Sequence, residues 1–195
     1  RHTRPDRADR HAARLGGLAP ATDPARPNKA RYGILMQKPT ASLVLEDCWL
    51  YGSFDDMIRI AGGKFAVFRN TFEKTGFQAG ECVNVKSGGD GDIAYNLVVG
   101  GTGNAFKSAN AGGLSPQANA YIYNNTIVNT GYRQAKVGEG GSLDFENGGR
   151  GRCYNNLLVN CAFGLAIMGG GNSIPIADTA NIRYGNTFNY GDNTG

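Results

Sequence analysis

The stretch YNNTI, residues 123–127, is the clearest copy of a five-residue pattern that recurs along this chain. Variants of the pattern are FRNTF at 68–72, AYNLV at 94–98, YNNLL at 154–158 and YGNTF at 184–188. The central asparagines follow one another at intervals of 26 to 31 residues, and Asp47 in LEDCW holds the position of a further, earlier copy. A repeat of this period predicts a solenoid, in which each copy forms one coil and stacks on the next.

Apolar residues flank each central asparagine at fixed distances. Three positions before it stand Val67, Ile93, Ile122 and Cys153, with Ile182 one position further back in the last copy. Two positions after it stand Trp49, Phe72, Val98, Ile127, Leu158 and Phe188. Such short apolar columns, bounded by Gly, Asn and Asp, are typical of β-strands, and no coil has room for a pair of amphipathic helices. Equivalent residues on stacked parallel strands lie about 4.8 Å apart, so we expect the asparagines to hydrogen-bond from coil to coil.

These repeats resemble those of the right-handed parallel β-helix proteins, the architecture of pectate lyases and their relatives. The resemblance covers residues 41–190 and implies an all-β solenoid of about six coils with an asparagine ladder. We assign residues 32–195 to this domain. Residues 1–31 hold eight of the 20 Lys and Arg residues and four of the seven prolines, and they are predicted to form a basic tail or linker.

Charge and histidine content exclude several kinds of chemistry. Residues 32–195 carry 12 basic and 13 acidic residues, and a domain without net positive charge is not built for nucleic acid. Both histidines, His2 and His11, lie in the tail, so the body has neither a Ser-His-Asp arrangement nor a His-ligated zinc site. No apolar run is long enough to span a membrane. The four cysteines lack C-x-x-C spacing and are interpreted as free thiols, with disulfides left open.

Aligning the other strand of each coil places charged residues on one outward face. One predicted outward column holds Arg59, Asn84, Ala105, Asp144 and Ala166, and the next holds Ala61, Lys86, Lys107, Glu146 and Met168. Lys86 and Lys107 are therefore expected on neighbouring coils, where repulsion between two ammonium groups lowers the pKa of one of them. A lysine of lowered pKa can act as a base near neutral pH. The Gly-rich loop 132–141 is expected to bring Arg133 to one end of this face.

The stretch ECVNVKS at 81–87, followed by Lys107, is similar to a motif of the alginate lyase and chondroitinase B group, polysaccharide lyase family six. That resemblance implies β-elimination in an acidic, uronate-containing polysaccharide, with Lys86 as the base and Lys107 as a second basic group. It also implies a Ca²⁺ site with Glu81 and Asp47 as ligands. Calcium or clustered cations would neutralise the uronate carboxylate and so make the neighbouring proton acidic. The candidates for substrate binding are Arg59, Asn84, Arg133, Asp144 and Glu146.

Two other functions stay open. Asp144 and Glu146 lie two residues apart on one strand, a separation of about 6–7 Å, and paired carboxylates at such a distance can serve a glycoside hydrolase. Alternatively, the protein is a non-catalytic glycan-binding or surface scaffold. Its sugar platform would then be a predicted column of aromatic rings, unless those rings only stack on one another: Phe68, Tyr123, Tyr154 and Tyr184.

The arrangement of the two lysines distinguishes these functions. A lyase should hold Lys86 and Lys107 on the floor of a cleft, whereas a scaffold should pair them with carboxylates on a flat face. In either case the expected partner is an acidic polysaccharide, which places the protein in the secreted, periplasmic or cell-surface fraction.

Overall fold

The computed structural model describes residues 32–52, 55–73, 80–110, 116–132, 141–168 and 177–193. These segments form 17 strands joined by turns, and the strands wind into a parallel β-solenoid of about five turns, against the predicted six. Within them, no helix has the length and apolar character needed to cross a bilayer. The predicted tail, residues 1–31, and Arg133 lie outside the described residues.

The strands stack into three faces, and every pairing between them is parallel. Face 1 contains β1 (Ile34–Met36), the first half of β4 (Ile58–Phe68), the first half of β6 (Val83–Ala94), β8 (Phe106–Ala109), β11 (Gly141–Glu146), β14 (Phe163–Met168) and β17 (Phe188–Asn193). Face 2 contains β2 (Ser42–Glu46), the second halves of β4 and β6, β9 (Asn119–Tyr123), β12 (Arg150–Tyr154) and β15 (Ala177–Thr179). Face 3 contains β3 (Trp49–Tyr51), β5 (Thr71–Glu73), β7 (Leu97–Gly101), β10 (Thr126–Thr130), β13 (Leu157–Val159) and β16 (Ile182–Tyr184).

Strands β4 and β6 turn the corner from face 1 to face 2 without a break in pairing. The register between them shifts at Ala61/Gly63, and Gly62, Gly63 and Gly88 have φ values of 104°, 81° and 82°. L-residues rarely adopt these angles. Space is also short, because a Cβ on Gly63 would come within 2.3 Å of the Ala41 carbonyl oxygen. Glycine is therefore required at this corner, which positions the cleft described below.

The core runs along the solenoid axis and is built from inward apolar residues that recur in successive coils. The predicted column of Val67, Ile93, Ile122 and Cys153 is fully buried. The second predicted column is confirmed in its middle, where Phe72, Val98, Ile127 and Leu158 are fully buried, but its first member is Leu50 rather than Trp49. All four cysteines are free thiols.

Four buried asparagines and a half-buried fifth form the predicted ladder at the corner between faces 2 and 3. The backbone and side-chain amides of each asparagine donate to the side-chain oxygen of the next, at 2.8–3.1 Å. The members are Asn70, Asn96, Asn125, Asn156 and Asn181.

Two ladder assignments made from the sequence are wrong. Asn186 lies at the next corner, where its side chain accepts a hydrogen bond from the Cys161 amide at 2.8 Å. At the other end, the Cys48 amide donates to the Asn70 side chain at 3.0 Å, so Cys48 and not Asp47 holds the ladder position. Asp47 is the residue before it and has positive φ, as does Asn155 before Asn156. In the last coil Ala180 has positive φ and Asn181 takes the ladder position, so the YGNTF pattern does not mark the ladder there.

Replacing Asn125 by alanine is expected to lower the free energy of unfolding by about 2–3 kcal/mol, because buried polar groups lose their partners. The Asn125 side chain accepts from the Asn96 amides and donates to the Ile93 carbonyl oxygen and to Asn156. Urea unfolding measures the loss. Asn181→Ala is the control and should cost less, since this end of the ladder is only half-buried and water can replace the amide. Equal losses at both positions would contradict the buried ladder as the cause.

The aromatic residues form a shorter stack than predicted. The rings of Tyr123 and Tyr154 stack at 4.9 Å, and Tyr95 meets Tyr123 edge-on at 6.1 Å. Phe68 pairs with Ala94, which interrupts the column. Tyr184 lies on β16 in face 3 and does not belong to it. The stack therefore spans two coils on face 2.

Candidate functional site

The charged residues of face 1 lie in a register that differs from the prediction. Asn84 pairs with Lys107, and Lys107 pairs with Asp144, so all three stand in the column of Arg59. Lys86 faces Ala61, and Glu146 faces Ala109. The prediction that Lys86 and Lys107 share a column is wrong by two residues at β8. The error arises because Phe106, and not Asn104, pairs with Val83.

Lys107 is the centre of a buried charge cluster. Its side-chain amine lies 3.5 Å from Asp144 Oδ2 and 4.0 Å from Glu81 Oε1, and it contacts Glu146 Oε2 directly. Lys107 is 5% exposed and Asp144 is 0% exposed. Because isolated charges are so costly to bury, three carboxylates around one ammonium group are what keeps this lysine inside the protein.

Two asparagine side chains tie the carboxylates of the cluster together. Asn84 Nδ2 donates to Glu81 Oε2 and to Asp56 Oδ2, both at 3.0 Å. Asn104 Nδ2 donates to Glu81 Oε1 at 3.2 Å and to Asp144 Oδ2 at 3.0 Å. The amides thus reduce the repulsion between carboxylates by bridging them. Asn84 and Asp144 were predicted to bind substrate, but in this arrangement their burial keeps them from direct contact with a polymer.

Asp56 and Arg59 extend the network toward the surface. Asp56 Oδ1 accepts from the Glu81 backbone amide at 3.1 Å, and its Oδ2 lies 3.4 Å from Arg59 Nη1. Arg59 also donates to the Tyr32 hydroxyl at 2.7 Å and lies over that ring. The Arg59 side chain is 26% exposed, so it remains within reach of an anion in solution.

Burial and neighbouring charges shift the pKa values of three side chains in the cluster. Burial raises the pKa of Asp144 to about 7, although the Lys107 charge opposes the shift. Burial and the neighbouring Glu81 raise the pKa of Asp56 to about 8. Burial alone would lower the pKa of Lys107, but Asp144, Glu81 and Glu146 outweigh it and raise that pKa. Lys107 is therefore protonated at all ordinary pH values and cannot serve as a base.

Stability is expected to fall as the pH rises from about 4 to 8. Both Asp56 and Asp144 have folded pKa values above the ordinary 3.8. The folded protein therefore holds protons that the unfolded chain releases in this window, and each release favours unfolding. Thermal melting at pH 5 and pH 8 checks this, and a change of about 1 kcal/mol corresponds to roughly 2–4 °C in a chain of this size.

The Asp144→Asn variant separates the carboxyl from other titrating groups. Its amide keeps an oxygen for Asn104 and Lys107 but carries no proton that is released. We expect a shallower decline of the melting temperature with pH in this variant. A decline as steep as that of the unchanged protein would show that Asp144 does not contribute.

Lys86 has a different environment from Lys107. It lies half-buried on β6, in the outward column next to that of Lys107. Burial lowers the pKa of Lys86, the Lys107 charge lowers it further, and Glu81 opposes both. The structure therefore brings together the two lysines, Glu81, Asn84, Asp144 and Glu146, but shifts the pKa values of the two lysines in opposite directions.

The residues around Glu81 do not fit the predicted calcium site. Asp47 follows β2, whose last residue pairs with Phe68 at the end of β4, whereas Glu81 precedes β6, whose first residue pairs with Ile58 at the start of β4. Asp47 instead pairs with Arg69 at 3.1 Å. The described part of the chain contains no group of three or more acidic, His or Cys side chains arranged to hold a metal ion, whereas Ca²⁺ takes six to eight oxygen ligands.

Sequence reasoning missed two members of the network, Asp56 and Asn104. Together with Glu81 they occupy equivalent places, each followed by two apolar residues in DMI, ECV and NAF. This second repeat, one polar residue per coil before face 1, was visible in the sequence. It was overlooked because the asparagine pattern set the alignment.

An open cleft of about 890 Å³ lies at the corner between faces 1 and 2. Gly63 and Gly88 form part of the corner, and Lys64, Asp90 and Arg150 project from face 2. Neither Lys86 nor Lys107 lines this cleft. It is therefore a separate feature from the charge cluster on face 1.

Comparison with known protein families, with curated proteins and with solved structures gives no match.

Proposed function

We propose that the protein cleaves an acidic, uronate-containing polysaccharide by β-elimination, with Lys86 as the base. The observation that carries the proposal is that two lysines in neighbouring columns of face 1 have different environments. Lys107 holds a fixed positive charge among carboxylates, and the neighbouring half-buried Lys86 has a lowered pKa. A base is most effective when its pKa lies near the working pH, and this arrangement moves Lys86 in that direction.

Each residue has a distinct part in the proposed reaction. The neutral Lys86 amine takes the proton next to the uronate carboxylate, the electron pair forms the new C=C bond, and the C–O bond to the leaving sugar breaks. Protonated Lys86 then returns the proton to the leaving oxygen. Arg59 lies on the neighbouring strand, two residues before the Ala61 that faces Lys86, and its exposed guanidinium suits a uronate carboxylate.

Lys107 acts on Lys86 rather than on the substrate in this proposal. Its 5% exposure leaves little surface for a sugar, while its charge disfavours protonation of Lys86. Glu146, with a side chain 18% exposed, is the member of the cluster best placed to meet a sugar hydroxyl. The buried side chains of Asn84 and Asp144 hold the other side chains of the cluster in position.

Accumulation of an unsaturated, ultraviolet-absorbing product is the test. Alginate, polygalacturonate and dermatan sulfate should be supplied separately, each with calcium and with a chelator. The proposal is supported if the unchanged protein forms the product from at least one polymer and the variants Lys86→Ala and Lys86→Arg do not. The chelator arm tests the calcium prediction independently, since the proposed steps need no metal.

A non-catalytic glycan-binding protein is the second candidate, and the ion pairing of Lys107 favours it. A lysine held by carboxylates is what a scaffold predicts, and neither Lys86 nor Lys107 lines the corner cleft. Binding of a polymer without any unsaturated product would select this function. Hydrolysis by Asp144 and Glu146 has no comparable support, because Asp144 is fully buried and hydrogen-bonded within the cluster.

A further inference from the structure

The corner cleft is lined by a row of polar side chains that runs across the strands of face 2. Lys64, Asp90, Asn119 and Arg150 pair in register on β4, β6, β9 and β12. Neighbouring strands lie about 4.8 Å apart, so the row spans roughly 14 Å. A row of this length is suited to an extended ligand that crosses several strands.

The charges in this row are partly neutralised, and one cation is left over. Asp90 Oδ2 contacts the Lys64 amine, and Asp90 Oδ1 accepts from Asn119 Nδ2 at 2.8 Å. Both carboxylate oxygens are therefore engaged by protein groups, which lowers the pKa of Asp90. Lys64 and Asp90 cancel each other in charge, so the cleft keeps the positive charge of Arg150.

Arg150 is exposed and its guanidinium has no hydrogen bond or ion pair with any residue in the described segments. A guanidinium can bind a planar carboxylate through two parallel hydrogen bonds. In contrast, Arg69 and Arg183 are held by carboxylates of this chain. Arg150, which has no such partner among the described residues, thus stands at one end of a row in which Lys64, Asp90 and Asn119 contact one another.

Aromatic rings continue from the cleft along the same face. Tyr121, half-buried, lines the cleft. Two residues further along the same strands, the rings of Tyr123 and Tyr154 stack at an interplanar angle of 1°. Apolar ring faces beside hydrogen-bonding groups form an amphipathic surface of the kind that recognises pyranose rings, whose C–H faces are apolar and whose edges are polar.

We propose that this cleft is a binding site for an acidic oligosaccharide, with Arg150 on a uronate carboxylate, Asn119 and Asp90 on hydroxyls and Tyr121 against a sugar ring. The site is on a different face from Lys86 and does not need elimination chemistry. It shares the polymer class of the proposed function, so binding here would hold a chain to the solenoid while face 1 acts on it.

Calorimetric titration with tetra-galacturonate tests the proposal, using the full chain carrying Lys86→Ala so that no probe is cleaved. Cello-tetraose is the neutral probe of equal length. We expect the uronate to bind and Arg150→Ala to weaken its binding by about tenfold or more, the loss expected for a charge-assisted pair. Arg152→Ala is the matched control on the same strand, since Arg152 is exposed but does not line the cleft, and it should change binding by less than about twofold.

Three results would overturn this site. They are no binding of the uronate, equal weakening by Arg150→Ala and Arg152→Ala, and equal binding of the neutral probe that persists in Arg150→Ala. Tyr121→Leu provides a second check, because loss of the ring should weaken binding without a change of charge. Failure of the elimination assay leaves this test intact, and success of that assay does not decide it.

Discussion

Lys86→Ala is expected to lower the elimination rate by about 10²–10⁴-fold, the range for loss of a general base. The substitution removes a half-buried, outward side chain from β6, so the fold should persist and its melting temperature should change little. The rate of formation of unsaturated product, measured on the polymer that the unchanged protein prefers, gives the ratio. A loss of similar size in kcat and in kcat/KM would place Lys86 in the transition state rather than in uniform substrate binding.

Lys86→Arg distinguishes a base from a positive charge. Arginine keeps the charge on the same strand but is not deprotonated in proteins. If Lys86 removes a proton, the arginine variant is as inactive as the alanine variant. If it only attracts the uronate carboxylate, the arginine variant retains most of the activity, and the proposed mechanism is wrong. Lys38→Ala, at an exposed lysine outside the cluster, controls for general loss of positive charge.

The pH profile follows from the same residue. A base must be neutral to act, so the rate should rise with pH through the pKa of Lys86, which burial and Lys107 place below that of an ordinary lysine. Removing the Lys107 charge should shift this rise to higher pH. A pH profile that does not move would show that the charge of Lys107 does not set the pKa of Lys86.

The fold could be predicted because one residue type marks the same corner in each coil. A buried asparagine at a tight turn satisfies a backbone amide and a carbonyl oxygen of the preceding coil, and few other side chains have both a donor and two acceptor lone pairs in this shape. The pattern therefore survives changes in loop length. It failed at the ends, where Cys48 takes the place of the first asparagine and where Asn181, in the stretch TANIR, holds the ladder position instead of Asn186.

The candidate site was less accessible to sequence reasoning because it depends on register between coils. A strand places side chains on alternate faces, so an error of two residues keeps the face correct but changes every partner. That is what occurred at β8: Lys107 was correctly placed outward, but its neighbours Asn84 and Asp144 were assigned to another column. Burial of the cluster was also invisible, since strand alternation alone assigns outward residues to solvent.

Lys107→Met is expected to destabilise the protein by about 3–5 kcal/mol, the cost of removing one partner from a buried ion pair. Methionine fills the space of the aliphatic side chain, so the loss arises mainly from carboxylates left without their cation. Asp144 is fully buried and would keep only its hydrogen bond from Asn104. Urea unfolding at neutral pH gives the difference, and the matched Lys86→Met change, on the neighbouring strand without a carboxylate cage, should cost less than about 1 kcal/mol.

Rescue by a second substitution identifies the cause. In the Lys107→Met background, Asp144→Asn removes the uncompensated charge, so the double variant should be more stable than the sum of the single losses predicts. Lowering the pH should reduce the loss caused by Lys107→Met relative to the unchanged protein at the same pH, because protonated carboxyls need no cation. If the losses simply add, or if the loss caused by Lys107→Met is as large at pH 5 as at pH 8, Lys107 contributes through packing. In that case the charge of Lys107 would not stabilise the Asp144 carboxylate, and the lowered pKa of Lys86 would need another cause.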